Sequence, residues 1–206
     1  LTTGILLVNG IMIPISAWLI NKFSSKKLYI TAMSTFLIGT IICFVAQDFG
    51  MLLTGRLVQA AGVGVSMPLL QTIMLSIFPP EKRGAAMGTT GIVIGLAPAL
   101  GPTLSGWIID SYTWRDLFGM VIPIVVLVLI LASFLMKNVI QLSNPSIDVL
   151  SVILSTLGFG SLLYGFSSVG DKGWGSPQVY GFLIVGAIVL CLFTYRQLHL
   201  EQPFLE

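Results

Sequence analysis

Arg56 is the one ionisable side chain set well inside a long apolar run, LLTGRLVQAAGVGVSMPLLQ. An arginine costs roughly 2.5–3.5 kcal/mol at the centre of a membrane-spanning helix, and less near an end where the side chain can snorkel. A guanidinium so placed needs water or a partner. The chemistry it offers is ion pairing and control over the protonation of a nearby acid, not bond cleavage. Helical spacing puts Arg56, Gln59, Val63, Ser66, Met67 and Gln71 in one broad sector, a polar strip on an otherwise apolar helix. The strip is expected to face an interior cavity. The plainer alternative has Arg56 snorkelling at the interface and Gln59 bonding a neighbouring helix.

A second constellation is conformational. In GIVIGLAPALGPTLSG, residues Gly91, Gly95, Pro98, Pro102 and Gly106 recur about one helical turn apart, so they share a small, smooth face. Each interior proline removes a backbone donor: Pro98 strands the carbonyl of Ile94, and Pro102 strands that of Pro98. In a bilayer such groups need other partners, supplied by neighbouring helices, side chains or water. One reading is a close-packing seam of small residues. The other is a bent helix whose kink controls sealing between conformations, and the two are compatible.

These residues must be held by elements that suit lipid. Of 206 residues, 55% are hydrophobic and only 9% charged, with a mean hydropathy of +0.98. A water-soluble domain carries roughly 25% charged residues. The class is therefore all-α: a polytopic membrane protein partnered by the lipid bilayer. The net charge of +2 is too small to suggest nucleic acid. Cys43 and Cys191 lie in separate apolar runs, without metal-site spacing. With no H-E-x-x-H, no G-x-S-x-G and one histidine, His199, beyond the last apolar run, the residues point to no catalytic set, metal or cofactor.

Apolar runs separated by short polar joints predict about seven transmembrane helices: Thr3 to Ile20, Leu28 to Ala46, Met51 to Ile77, Ala85 to Ile109, Leu117 to Met136, Val149 to Val169 and Val179 to Tyr195. With alternating crossings, Lys22, Lys26, Lys27, Lys82, Arg83, Lys137 and Arg196 gather on one side. Arg115 and Lys172 lie on the other, beside Asp48, Asp110, Asp116 and Asp171. The first side is therefore expected to be cytoplasmic. The joint KNVIQLSNPSID is the most polar, and Ser146 or Asp148 is expected to cap the helix that follows. The chain begins at Leu1 in a helical run and ends at Glu206 directly after one, in the manner of a fragment.

Three blocks resemble the major facilitator superfamily, within its drug:proton antiporters of fourteen-helix type. Arg56, Gln59, Gly62, Gly64 and Pro68 match the R-x-x-Q-x-x-G-x-G-x-x-x-P block of that family's fourth helix. Gly91, Gly95, Pro98, Gly101, Pro102, Gly106 and Trp107 resemble the antiporter block of its fifth. Trp114, Arg115, Phe118 and Pro123 resemble the W-R-x-x-F-x-x-x-x-P segment that opens its sixth. A loop signature, usually G-x-L-x-D-R-x-G-R-K, is partly kept in AWLINKFSSKK: Leu19, Lys22 and Lys26 fit, whereas Ala17, Asn21 and Ser24 depart from it. Asn21, Lys22, Lys26 and Lys27 then mark a cytoplasmic loop that has lost the acid of the usual charge-based latch.

The resemblance implies that residues 1–136 carry the second to sixth helices of an N-terminal six-helix bundle. Residues 137–206 would then supply a short cytoplasmic joint and two extra central helices, with the C-terminal bundle outside the chain. It implies alternating access in a bacterial plasma membrane, with an amphipathic or cationic drug leaving as protons enter. Arg56, Gln59, Ser66, Met67 and Gln71 would line the substrate and proton pathway. Gly91, Gly95, Pro98, Gly101, Pro102 and Gly106 would form the hinge or seal. Every carboxylate of the sequence falls at or beyond a span end. The proton-carrying acid is thus expected elsewhere, in the absent first helix or C-terminal half, and close to Arg56. Two alternatives are an exporter of one specific metabolite and a non-transporting membrane receptor or scaffold.

Overall fold

The computed structural model describes residues 2–140 and 149–199. Among these the chain forms seven helices: α1 (Thr2–Lys22), α2 (Ser25–Phe44), α3 (Phe49–Ile77), α4 (Pro80–Ser111), α5 (Asp116–Leu135), α6 (Val149–Lys172) and α7 (Pro177–His199). Each of α2 to α7 carries an 18-residue window apolar enough to cross a membrane, and the first expected span falls within α1. Most helices run past the expected spans, while α2 and α5 stop short of Ala46 and Met136, because local chemistry, not the hydrocarbon boundary, ends them. Asp48 caps α3 by accepting a hydrogen bond from the Met51 N–H at 2.8 Å. Pro80 opens α4, where a missing N–H costs nothing. Gly173, at φ +73°, closes α6 in the left-handed conformation, its N–H donating to the Val169 carbonyl at 2.8 Å. The expected caps Ser146 and Asp148 lie outside the described residues.

The helices form two compact units. In the unit of α1, α6 and α7, small residues set the spacing. A Cβ on Gly186 would lie 2.9 Å from the Leu162 backbone nitrogen, and one on Gly158 would lie 2.6 Å from the Leu190 side chain. Tyr164 and Phe182 meet edge-on at 4.7 Å, and Val179 is fully buried. Gln197 Nε2 donates to Ser151 Oγ at 2.6 Å, joining the two helices across the pair.

In the unit of α2 to α5, α2 is the central element, packed against α3 along one face and against α5 along another. The α2–α3 seam is built on glycine. A Cβ on Gly39 would sit 2.6 Å from both the Gln59 nitrogen and the Gly55 oxygen, and one on Gly62 would sit 2.6 Å from the Ala32 oxygen. Without a hydrophobic force between helices in lipid, this close backbone approach is what van der Waals attraction requires. Against α5, Gly119 makes room for the Phe44 ring. Polar contacts fix the two ends of that pair. At one end Asn138 Oδ1 accepts from both the backbone N–H and the hydroxyl of Ser25, each at 3.0 Å. At the other, Arg115 Nε donates to the Ala46 carbonyl at 2.9 Å.

Apolar side chains face outward throughout; Phe134 is 83% exposed and Leu198 78%. Water would not tolerate such a surface, but lipid does. Helix α4 has the least cover, making only slight contact with α3 and α5.

Candidate functional site

Arg56 lies on α3 two turns beyond its cap, and its side chain reaches across to α5. The guanidinium carbon sits 4.8 Å from the centroid of the Phe118 ring, and Nη1 donates to Gln59 Oε1 at 3.4 Å. One turn on, Gln59 is only 6% exposed and turns toward α2, where Nε2 donates to Thr40 Oγ1 at 2.8 Å. Thr40 is fully buried, and its hydroxyl donates to the Phe36 carbonyl at 2.8 Å. Because the threonine hydroxyl has its hydrogen committed to Phe36, its oxygen must accept from Gln59. The Gln59 amide oxygen is thereby left facing Arg56. The result is a polar chain whose donors all run one way, from guanidinium to amide to hydroxyl to backbone carbonyl. Cys43 adds a weak contact, its Sγ 3.9 Å from Gln59 Oε1.

Thr40 is the keystone of this chain, and its removal has a definite cost. Thr40→Val keeps the shape but leaves the buried Gln59 Nε2 without its acceptor, worth about 1–3 kcal/mol. The expected result is a lower thermal unfolding midpoint for the detergent-purified protein, with Thr40→Ser close to wild type. Equal midpoints for the valine and wild-type proteins would mean the bond contributes nothing.

The strip expected on α3 divides. Arg56 and Gln59 are joined. Ser66 turns back on its own helix, donating to the Gly62 carbonyl at 2.8 Å and standing 3.9 Å from Met33 Sδ. Met67 and Gln71 lie on the exposed surface of the unit, and Val63 is half-buried. Thr40 and the ring of Phe118 complete the arrangement. The signal for Thr40 was a hydroxyl inside an apolar run, which has to be satisfied within the protein. Phe118 stood in the W-R-x-x-F segment without a stated role.

The glycine and proline face of α4 is brought to nothing among the described residues. The helix continues through Pro98 and Pro102, and residues 91–104 are all exposed. A Cβ on Gly91, Gly95, Gly101 or Gly106 would meet no atom within 4 Å. Along the expected cytoplasmic loop, Asn21 is exposed, and the Lys22 ammonium lies 4.5 Å from the Trp18 ring. Lys26 Nζ donates to the Ser133 carbonyl at 2.6 Å, a cation on the free carbonyls that end α5. Lys27 is exposed, and its backbone N–H donates to Ser24 Oγ at 3.4 Å. No group of three His, Cys, Asp or Glu positioned for a metal occurs among the described residues.

A family model, the Major Facilitator Superfamily, matches residues 1–202. The uncharacterized MFS-type transporter YcnB of Bacillus subtilis is 58% identical over 206 residues, covering all of this chain and 44% of the relative. The lincomycin resistance protein LmrB of Bacillus subtilis is 46% identical over 208 residues, covering all of the chain and 43% of the relative. The multidrug export protein EmrB of Haemophilus influenzae is 30% identical over 200 residues, covering 96% of the chain and 39% of the relative. The chain thus spans about two fifths of the length of these curated relatives.

Proposed function

Given that the chain belongs to the major facilitator superfamily, we propose that it is the portion of a bacterial plasma-membrane exporter that carries the arginine of the proton and substrate pathway. It is a multi-pass membrane chain related to drug-efflux proteins. The exporter exchanges outward-moving amphipathic or cationic drugs for inward-moving protons by alternating access. Residues 1–136 supply the second to sixth helices of its N-terminal bundle, and residues 137–206 supply a cytoplasmic joint and two extra central helices. The C-terminal bundle comes from sequence outside this chain. The short joint after α5 and the close succession of α6 and α7 along the chain support the fourteen-helix arrangement.

The observation that carries this reading is Arg56: a guanidinium inside an apolar helix whose contacts among the described residues are a ring face and an amide oxygen, not a carboxylate. Such a cation lowers the pKa of an acid brought beside it, so substrate arrival could drive a proton off that acid. Gln59, Ser66, Met67 and Gln71 extend the pathway along α3. The names of LmrB and EmrB, with lincomycin resistance and multidrug export in them, favour drugs as cargo. The face of Gly91, Gly95, Pro98, Gly101, Pro102 and Gly106 acts as the hinge or seal between conformations.

The test is export of a fluorescent lipophilic cation by an efflux-deficient bacterium carrying the full-length protein, with and without a protonophore. Export that collapses with the gradient is expected. Failure to export any such cation, in cells where membrane insertion is verified, would overturn the drug assignment and favour a single metabolite as cargo.

A further inference from the structure

Phe118 occupies the first turn of α5 and is only 8% exposed. Its ring touches Trp114, and its backbone is anchored by two neighbouring contacts. Trp114 meets it edge-on at 6.3 Å and 88°. The adjacent Gly119 lets α5 approach the Phe44 ring of α2. The loop that carries Trp114 and leads into α5 is tied down by Arg115, which donates to the Ala46 carbonyl at 2.9 Å and lies 4.5 Å over the Trp114 ring. The ring so held presents its electron-rich face to the Arg56 guanidinium at 4.8 Å. Among the described residues the only hydrogen bond of that guanidinium is the long one, 3.4 Å, to Gln59.

We infer that Phe118 is a positioning residue for Arg56, its ring face holding the half-buried guanidinium in place, with N–H edges that no described residue engages left open to an acceptor. A planar guanidinium stacked on a ring loses most of its directions of tilt, whereas one beside an aliphatic chain of the same volume loses few. Two consequences separate this role from simple packing. Arg56 should be slow to react with a dicarbonyl reagent, because the ring covers one face of the guanidinium and bars the reagent's approach. An aromatic substitute should preserve the effect, while an apolar non-aromatic one should not. The first consequence depends on the contact alone; any effect on transport rests on the proposed export function.

The experiment labels the full-length protein in membranes with phenylglyoxal and follows Arg56 modification by mass spectrometry. Phe118→Leu and Phe118→Met are expected to speed labelling about fivefold or more, and Phe118→Tyr to stay within about twofold of wild type. The methionine variant guards against a leucine protein that fails to insert. In the cation-export assay at matched protein levels, the leucine variant is expected to lose about tenfold in rate while the tyrosine variant retains most of it. Equal labelling in all four proteins, or tyrosine behaving like leucine, overturns the positioning role even if export is normal. A wild-type protein that exports nothing overturns the proposed function, and the labelling comparison still decides the role of Phe118.

Discussion

Gly39→Val is expected to remove most of the folded protein from the membrane. The first atom added at Gly39 would lie 2.6 Å from the Gln59 nitrogen and 2.6 Å from the Gly55 oxygen, both of them backbone. No side-chain rotation relieves such a clash, so α2 and α3 must part. Parting them undoes the neighbouring close approaches as well, since a Cβ on Gly55 would already lie 2.9 Å from the Gly39 oxygen, and it stretches the 2.8 Å bond from Gln59 to Thr40. Overpacking alone costs about 1–3 kcal/mol, and occasionally more. The lost bond adds about 1–3 kcal/mol where a buried group is left unsatisfied. The measurement is the amount of protein in the membrane and its unfolding midpoint in detergent. A valine protein as abundant and as stable as wild type would show that the seam has slack the geometry denies. Gly95→Ala is the internal contrast: nothing stands within 4 Å of its added Cβ, and alanine favours the helix by about 1 kcal/mol. Its folded level should therefore not fall.

Arg56→Ala is expected to abolish gradient-driven export while leaving a stable protein. The embedded guanidinium is costly to keep out of water, and its hydrogen bond to Gln59 is a long one. Truncation consequently relieves a desolvation cost as it gives up the contact with Phe118, and the unfolding midpoint should move little. Function should respond differently, because no other cation lies well inside the helices of this unit to bias the acid of the proposed proton pathway. Arg56→Lys is expected to retain part of the activity: an ammonium keeps the charge and can still face a ring, but it lacks the planar fork that engages two partners at once. The rate of cation efflux at matched protein level decides the matter. Unchanged export by a normally inserted alanine protein would dismiss Arg56 from the mechanism.

How much of this was legible beforehand depends on which force sets each feature. Hydrocarbon thickness imposes the length of a spanning segment, so the apolar runs mark where α2 to α7 cross. Helix ends are set by caps, so α3 starts at Phe49 behind Asp48 and α4 at Pro80, ahead of where hydropathy alone begins them. Helical periodicity correctly grouped Arg56 with Gln59, because three residues along one helix is a local relation. Their partners were not legible. Thr40 is one hydroxyl among several in α2, and only the docking of α2 on α3 singles it out. Likewise, among 22 glycines nothing in the sequence sets Gly39 and Gly55 apart, and Gly62 stood out only as a motif position; their role in the seam appears where two backbones touch. The Gly91 to Gly106 face was the reverse case: conspicuous in sequence, yet uncovered among the described residues, so its packing partner is not readable from this chain's own structure.

The seam between α2 and α3 also dictates an order of assembly. Its partners are separated by a connection of a few residues, so the hairpin can close as soon as α3 has left the synthetic machinery. Helix α5 belongs against α2 too, yet it emerges only after the whole of α4, and the Ser25–Asn138 and Ala46–Arg115 contacts span 113 and 69 residues. During that interval α4 must wait in lipid with little to hold it, and the hairpin must stand ready with the face that α5 will cover still bare. Nascent chains of this kind are most exposed to mispairing and to membrane proteases between the birth of α3 and the docking of α5. Substitutions that loosen the glycine seam should therefore act first on the yield of newly made protein, before any effect on the finished one.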